Sequence, residues 1–495
     1  MPAPVSFPGV YVEEERAIAL NISSGNTCVP LFIFNPFVEV KDKLDKFKSL
    51  GLFDKAIKVI GWTDYLAQFK DCIDEIRGKH TASIMVVKSL DAIPVDTLAA
   101  KNFVATESYY RQMNAIGFYP MQHYFENGGG PCYLYLCCYE TAPRGAANIR
   151  ELPRSYYDTD ATRCDFSPLA QQVSAFSDIT VLCLGGDDAV NKKAYLAVTP
   201  LLLQAQGNAA PLFCVVHADN QGRARPTFEV KTQTAAYYPY LKTPYVLSLN
   251  ELNPQNVYFE GYHGSKVQDP VKDYLHYTLD EMQNDPKGVD FAREAIKTLQ
   301  RPVVLPPVYA VLGAYCRTDS ERGVWKAPAN MTLNGVKGLC DEFANGVSIN
   351  DTQNGELLDA GINAIRFLPG QGYVIWGART MVPADHTEWR YIPVRRLFNI
   401  AERDIKKAIA DMLFEPNTPA TWEIIRNAID VYLHDLWSRG ALFGDSAEEA
   451  YFVKAGLGST MSQDDISQGK MIIKVGMAAV KPAEFIVLEF SQQQR

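Results

Sequence analysis

Short apolar runs mark the first half of the chain, and amphipathic helical periods mark its last third. Residues 29–34 read as a first buried strand, and Lys58-Val59-Ile60 as a second, followed by a short helix over 62–69. Lys41 to Leu50 is charged and helical in pattern. Residues 132–139 form an aromatic and apolar strand introduced by Asn127-Gly128-Gly129-Gly130-Pro131. The strand 179–184, the helix 191–205 and the strand 211–216 make a βαβ unit, which predicts a parallel pair. Residues 218–300 are the least regular and end in an amphipathic helix near 291–299. Further on, residues 374–376 read as a strand, and the helix 394–413 puts Leu397, Ala401, Ile405, Ala408 and Met412 on one stripe. Glu415-Pro416-Asn417 breaks it. Thr418-Pro419 starts the next helix, whose apolar side carries Trp422, Ile425, Ile429, Leu433 and Leu436, and Gly440 stops it. Ser446 with Glu449 predicts a capping box, and 471–477 and 484–490 are two final strands.

The ends differ from the rest. Pro2, Pro4 and Pro8 block helix, Val10-Tyr11-Val12 has strand propensity, and Glu13-Glu14-Glu15 follows. From Pro8 to Leu20 an extended chain reaches up to ~40 Å, far enough to touch another subunit. Phe485-Ile486-Val487-Leu488 has the same β character close to the other end.

Composition narrows the class. The 495 residues are 47% hydrophobic and 21% charged, with a net charge of −9, which excludes wholesale disorder and argues against a nucleic-acid binder, since that needs surplus Lys and Arg. The first residues show no secretory signal, and no run is long and apolar enough to span a bilayer, so synthesis in the cytoplasm is expected. The ten cysteines include no CxxC metal spacing and are expected to be reduced and buried.

Catalytic signals are weak. There is no phosphate-loop pattern, zinc-helix spacing or nucleophile elbow; no cofactor or metal is expected. Gly370-Gln371-Gly372 precedes a strand and reads as a tight turn. Gly185-Gly186-Asp187-Asp188, with His217 and Asp219 beyond the next strand, is the best ligand-site candidate, though a Gly-rich loop with solvated aspartates explains it equally well. His434 is expected to be partly buried and hydrogen-bonded. The arginines Arg366, Arg379, Arg390, Arg395, Arg396 and Arg403 fall within a short span near Glu388, Glu402 and Asp404. Taken alone they are ordinary ion pairs.

A set of ordered motifs changes that reading. Pro8-Gly9-Val10-Tyr11-Val12-Glu13-Glu14, the 124–133 turn and strand, Arg317 to Asn330, Gly361-Ile362-Asn363, Trp376 to Thr380, Trp389-Arg390-Tyr391, Arg395-Arg396-Leu397, Phe414 to Asn417, Gly440-Ala441-Leu442 and Pro482-Ala483-Glu484-Phe485 together resemble the contractile-tail sheath family of phages and phage-tail-like injection particles. Residues 303–490 are covered almost continuously; 70–113 and 218–300 look like insertions.

The resemblance implies a mixed α/β sheath fold. It divides into an N-terminal linking arm (1–26), an α/β domain (27–217) with an insertion near 70–113, an inserted outer region (218–302), a C-terminal core near an inner tube (303–480) and a C-terminal strand and arm (481–495). It implies stacked hexameric rings, with Val10, Tyr11, Val12 and Phe485, Ile486, Val487, Leu488 as strands exchanged between subunits. Its implied partners are other copies, an inner tube protein, baseplate and cap proteins and other sheath isoforms, with no membrane insertion. Arg390, Arg395, Arg396, Arg403, Lys406 and Lys407 become candidate subunit or tube contacts. A specialised baseplate-proximal ring keeps the fold and changes the task.

Overall fold

Each residue of the strand Pro30–Phe34 is buried, and its side chains alternate between two hydrophobic cores. Phe32 and Phe34 enter one core, Leu31 and Ile33 the other. A strand covered on both faces reads as a continuous apolar run, which is why 29–34 is legible in sequence. The computed structural model describes residues 20–34, 51–79, 82–86, 103–105, 113, 116–137, 166–185, 188–203, 212–218, 228–246, 257–260, 278, 280–281, 302–340, 348–383 and 385–484. The expected helices at 41–50 and 291–299, both exchanged strand segments and most of 218–300 lie outside them.

The described chain forms two compact units. The larger comprises Asn26–Ile400 with Lys481–Arg495, the smaller Met1–Gly25 with Ala401–Val480.

The larger unit is built on a nine-stranded sheet. Its order is Met331–Thr332, Gly372–Trp376, Ile362–Leu368, Thr234–Tyr238, Phe213–His217, Val181–Leu184, Pro30–Phe34, Cys132–Leu136, Ala56–Val59. The six strands from Ile362–Leu368 to Cys132–Leu136 run parallel to their neighbours. The outer strands pair antiparallel. The predicted βαβ unit is present as Val181–Leu184, the helix Asp188–Leu203 and Phe213–His217. Helices Phe118–Glu126 and Val308–Arg322 cover one face, Ser167–Ala175 and Asp188–Leu203 the other. The first two pack so closely that a Cβ on Gly313 would lie 2.4 Å from the Tyr124 carbonyl oxygen. Gly370 and Gly372, both at φ +85°, form the tight turn expected between the Ile362–Leu368 and Gly372–Trp376 strands.

Three sequence expectations shift. The boundary drawn at 302–303 is crossed by the sheet, because residues 362–364 pair in parallel with 236–238. Ser446 makes no side-chain cap; Glu449 instead accepts from the Asp445 backbone N–H at 3.0 Å. His434 is exposed, its ring 5.3 Å from that of Trp437, because its position falls outside the buried stripe of its helix.

In the smaller unit, the helix Pro419–Ser438 buries Trp422, Ile425, Ile429, Leu433 and Leu436, the predicted stripe. Gly440 (φ +80°) ends it, with the Ala441 N–H bonded to the Leu436 carbonyl. This helix packs on a two-stranded antiparallel sheet, Tyr451–Ala455 with Ile473–Met477. The helix Ile392–Ala410 contributes residues to both units.

Candidate subunit interface

The arginine-rich span turns largely inward. Arg396 is 2% exposed and pairs with the equally buried Asp319 through two bonds of 2.5 and 3.0 Å. Its guanidinium lies 4.8 Å from the Tyr315 ring centroid and donates to the Thr27 carbonyl at 3.2 Å. Burial acts most strongly, lowering the Arg396 pKa, but the Asp319 charge and hydrogen bond together with neighbouring Cys28 and Tyr315 outweigh it, and the group stays firmly cationic. Tyr315 also shares a 2.7 Å hydroxyl bond with Tyr237 of the central sheet. Arg395 stacks over Trp389 at 4.0 Å and donates to Asn399, which exchanges amide bonds with Gln233. Planar guanidinium on an aromatic face with a fixed acceptor is a site that Lys would not fill equally.

A second cluster holds the start of the C-terminal run. Arg379 donates to Glu484 through Nε (2.9 and 3.1 Å) and Nη2 (2.6 Å), and the Tyr391 hydroxyl donates to the same carboxylate at 3.3 Å. The hydrogen bonds to Glu484 raise the Arg379 pKa. Asn363 fixes the Arg379 backbone from both sides, accepting from its N–H and donating to its carbonyl, each at 2.8 Å. The next residues in the chain are Phe485 to Leu488.

In the smaller unit, Arg403 pairs with Asp404 at 2.8 Å. Asp404 also accepts from the Gly25 backbone N–H and the Tyr432 hydroxyl, both at 3.2 Å. Burial and the Asp404 charge raise the Tyr432 pKa, so the hydroxyl stays protonated and donates. A Cβ on Gly25 would sit 2.6 Å from the Arg403 guanidinium.

The proposed contact residues therefore separate. Arg395, Arg396 and Arg403 are buried and engage partners in their own chain, Arg390 is half-buried, and Lys406 and Lys407 are exposed. Val10, Tyr11, Val12, Phe485, Ile486, Val487 and Leu488 lie outside the described residues. Sequence reasoning named Asp319 and Glu484 within motifs without giving either a role, and read 471–477 as a strand without its partner 451–455. Asp319 sits inside the Arg317–Asn330 motif, and nothing local marks it as Arg396's partner.

Among the described residues, the alternative ligand site shows no catalytic set. His217 is buried at the end of its strand with its ring 4.0 Å from that of Tyr240. A side chain at Gly185 would meet the Tyr309 ring at 2.5 Å. Asp187 and Asp219 lie outside the described residues. Among the cysteines described, seven are buried and Cys340 is half-buried, all as free thiols. No helix of the described residues is long and apolar enough to cross a membrane.

The two-stranded sheet has the geometry of an unfinished element. Two strands alone are marginal in water, and each here leaves one long edge without a strand partner among the described residues. Such an edge can take an added strand from another segment or chain. The family model of the phage tail sheath protein central domain matches residues 208–381, and that of the phage tail sheath C-terminal domain matches 384–493. Among solved structures, the anti-feeding prophage baseplate (cryo-EM, six-fold symmetrised) contains a chain 34% identical, with 99% of this chain and 100% of that one covered and a TM-score of 0.61. The contracted helical sheath of the same particle gives 32% identity, 99% and 100% coverage and 0.62. The contracted PVC sheath complex of an extracellular contractile injection system gives 29%, 99% coverage of both chains and 0.61. The tail sheath protein of Vibrio phage KVP40 is 29% identical over 133 residues, 27% of this chain and 19% of that one. The chain thus spans about a fifth of the length of the curated relatives it matches. The chain belongs to the tail sheath family, whose members are structural proteins and not enzymes.

Proposed function

We propose that the chain is the repeating subunit of a contractile sheath, stacked as six-membered rings around an inner tube and joined by its terminal arms. The observation that carries this is the two-stranded sheet with its open edges, set beside two β-prone segments near the chain ends. A strand added to such an edge satisfies the unpaired backbone groups and buries one apolar face, at roughly 1.5–3 kcal/mol per fully buried Val, Leu or Phe. Contraction then repacks rigid units while the strand links persist, driven by contact area summed over many copies. The tube, baseplate and cap proteins are the expected partners, and a released phage-tail-like particle is the expected setting. The baseplate likeness also favours a second reading, a baseplate-proximal ring of the same subunit type.

Electron microscopy of the purified full-length chain beside one lacking residues 1–20 tests the proposal. Rings or tubes from the full chain, lost on truncation, are expected. Equal assembly of both would remove the N-terminal arm from the linkage.

A further inference from the structure

Two of the buried cysteines differ from the rest. Cys28 and Cys316 are each 9% exposed, whereas Cys72, Cys132, Cys137, Cys183 and Cys214 are at most 1%. The two are also neighbours in space, although 288 positions separate them in sequence. The Cys316 sulfur lies 3.6 Å from the Cys28 carbonyl oxygen, and the two thiols hydrogen-bond to each other. Cys28 stands just before the central strand Pro30–Phe34, and Cys316 lies in the helix Val308–Arg322 that covers that strand. Residues 23–26 are exposed and Thr27 is half-buried, so the pair sits directly beneath the surface.

Their surroundings give the two thiols different roles. The Cys28 thiol donates to the Cys316 sulfur, the Tyr124 hydroxyl lies 3.3 Å from it, and the Gly130 backbone N–H donates to it. These bonds favour a thiolate and hold the Cys316 pKa below the ordinary thiol value, against the effect of burial. The bond to Cys316 and burial both raise the Cys28 pKa, so Cys28 keeps its proton until Cys316 has reacted. The Arg396 guanidinium, bonded to the adjacent Thr27 carbonyl at 3.2 Å, then favours the Cys28 thiolate. A thiolate is the attacking species in disulfide exchange, and access decides which thiolates react.

We propose that Cys28 and Cys316 form a redox-active pair that a low-molecular-weight disulfide converts into a cross-link within the chain. The Cys316 thiolate attacks one sulfur of the small disulfide, forms a mixed disulfide and releases a small thiolate. Cys28 then gives up its proton and attacks the Cys316 sulfur, which forms the protein S–S bond and expels the second small thiolate. The protons of the two protein thiols end on the two small thiols. Two protein thiols are thereby oxidised and one small disulfide is reduced. The new bond staples the start of a central strand to its covering helix and closes a long loop, a constraint that acts chiefly on the unfolded chain. It lies within the larger unit and needs no second copy.

The test uses the folded full-length protein with glutathione disulfide at mildly alkaline pH. Free thiols are then alkylated, the protein is digested without reduction, and the peptides are read by mass spectrometry. A peptide pair joined through Cys28 and Cys316 is expected, with the other described cysteines alkylated. The melting temperature should rise by roughly 5 °C and return on treatment with dithiothreitol. Cys28→Ser should trap glutathione on Cys316, whereas Cys316→Ser should leave Cys28 alkylated and unlinked.

Folded parent protein in which both thiols stay free overturns the proposal. So does a link from either residue to Cys132, or one that forms only after unfolding in urea. A melting temperature that holds or falls on cross-linking overturns the staple. Glutathione retained on Cys28 in Cys316→Ser, with none on Cys316 in Cys28→Ser, overturns the assigned order of attack. If a serine variant does not fold, the parent's cross-link and melt decide.

Discussion

Two buried charged pairs and one buried histidine set the strongest expectations at the scale of single residues. Arg396 and Asp319 are 2% and 3% exposed, so removing either leaves the other as an unpaired charge in a low-dielectric interior. Asp319→Ala is expected to cost about 3–5 kcal/mol in urea unfolding. An exposed pair such as Lys70 with Asp74 should give under about 1 kcal/mol. His123 is fully buried; burial lowers its pKa from 6.5 to about 4, and its Nε2 lies 3.0 Å from the Asn334 carbonyl. The native state therefore holds it neutral while the unfolded chain takes up a proton below pH 6.5. Stability should fall as pH drops from about 6.5 to about 4, by a contribution on the order of 3 kcal/mol. His123→Gln should flatten that part of a stability–pH profile; an unchanged slope would assign the loss to other groups. At this scale the sequence was least informative. Six arginines in one span look alike in a string, yet Arg396 is walled in by Asp319 and Tyr315, and Arg379 clamps Glu484 more than a hundred residues away. Those partners are brought together only by tertiary packing.

Periodicity carried the elements themselves. The stripe on the Pro419–Ser438 helix and the βαβ unit follow from apolar spacing, because both faces of the central strands and one face of the helix are buried. The capping box at Ser446 failed because its four-residue helix leads straight into a strand, and Glu449 satisfies the Asp445 N–H instead. Glycines make a paired prediction at this scale. Gly355 lies exposed inside the helix Asp351–Asp359 with nothing near its Cβ position, so Gly355→Ala should raise stability by about 0.5–1 kcal/mol. A Cβ on Gly313 would lie 2.4 Å from the Tyr124 carbonyl oxygen, so Gly313→Ala should lower the melting temperature despite better helix propensity. Thermal melts of the two variants, moving in opposite directions, would check that the close approach of the two helices is real.

For the whole molecule, family membership was legible because motifs from both ends and the C-terminal third occur in order. Domain limits were less so. A sheet whose parallel neighbours come from residues 213–217, 234–238 and 362–368 gathers strands from distant parts of the chain, and no local composition change marks that. The small sheet was only half legible: 471–477 read as a strand, whereas 451–455, short and only half-buried, did not stand out. The small sheet is expected to be completed by other copies. The most direct measurement is a cryo-EM map of assembled particles, read at the edges of the Tyr451–Ala455 and Ile473–Met477 strands. Added strands are expected there, with density that continues into the terminal segments of neighbouring subunits. A sheet that remains two-stranded in the assembled particle would contradict that expectation.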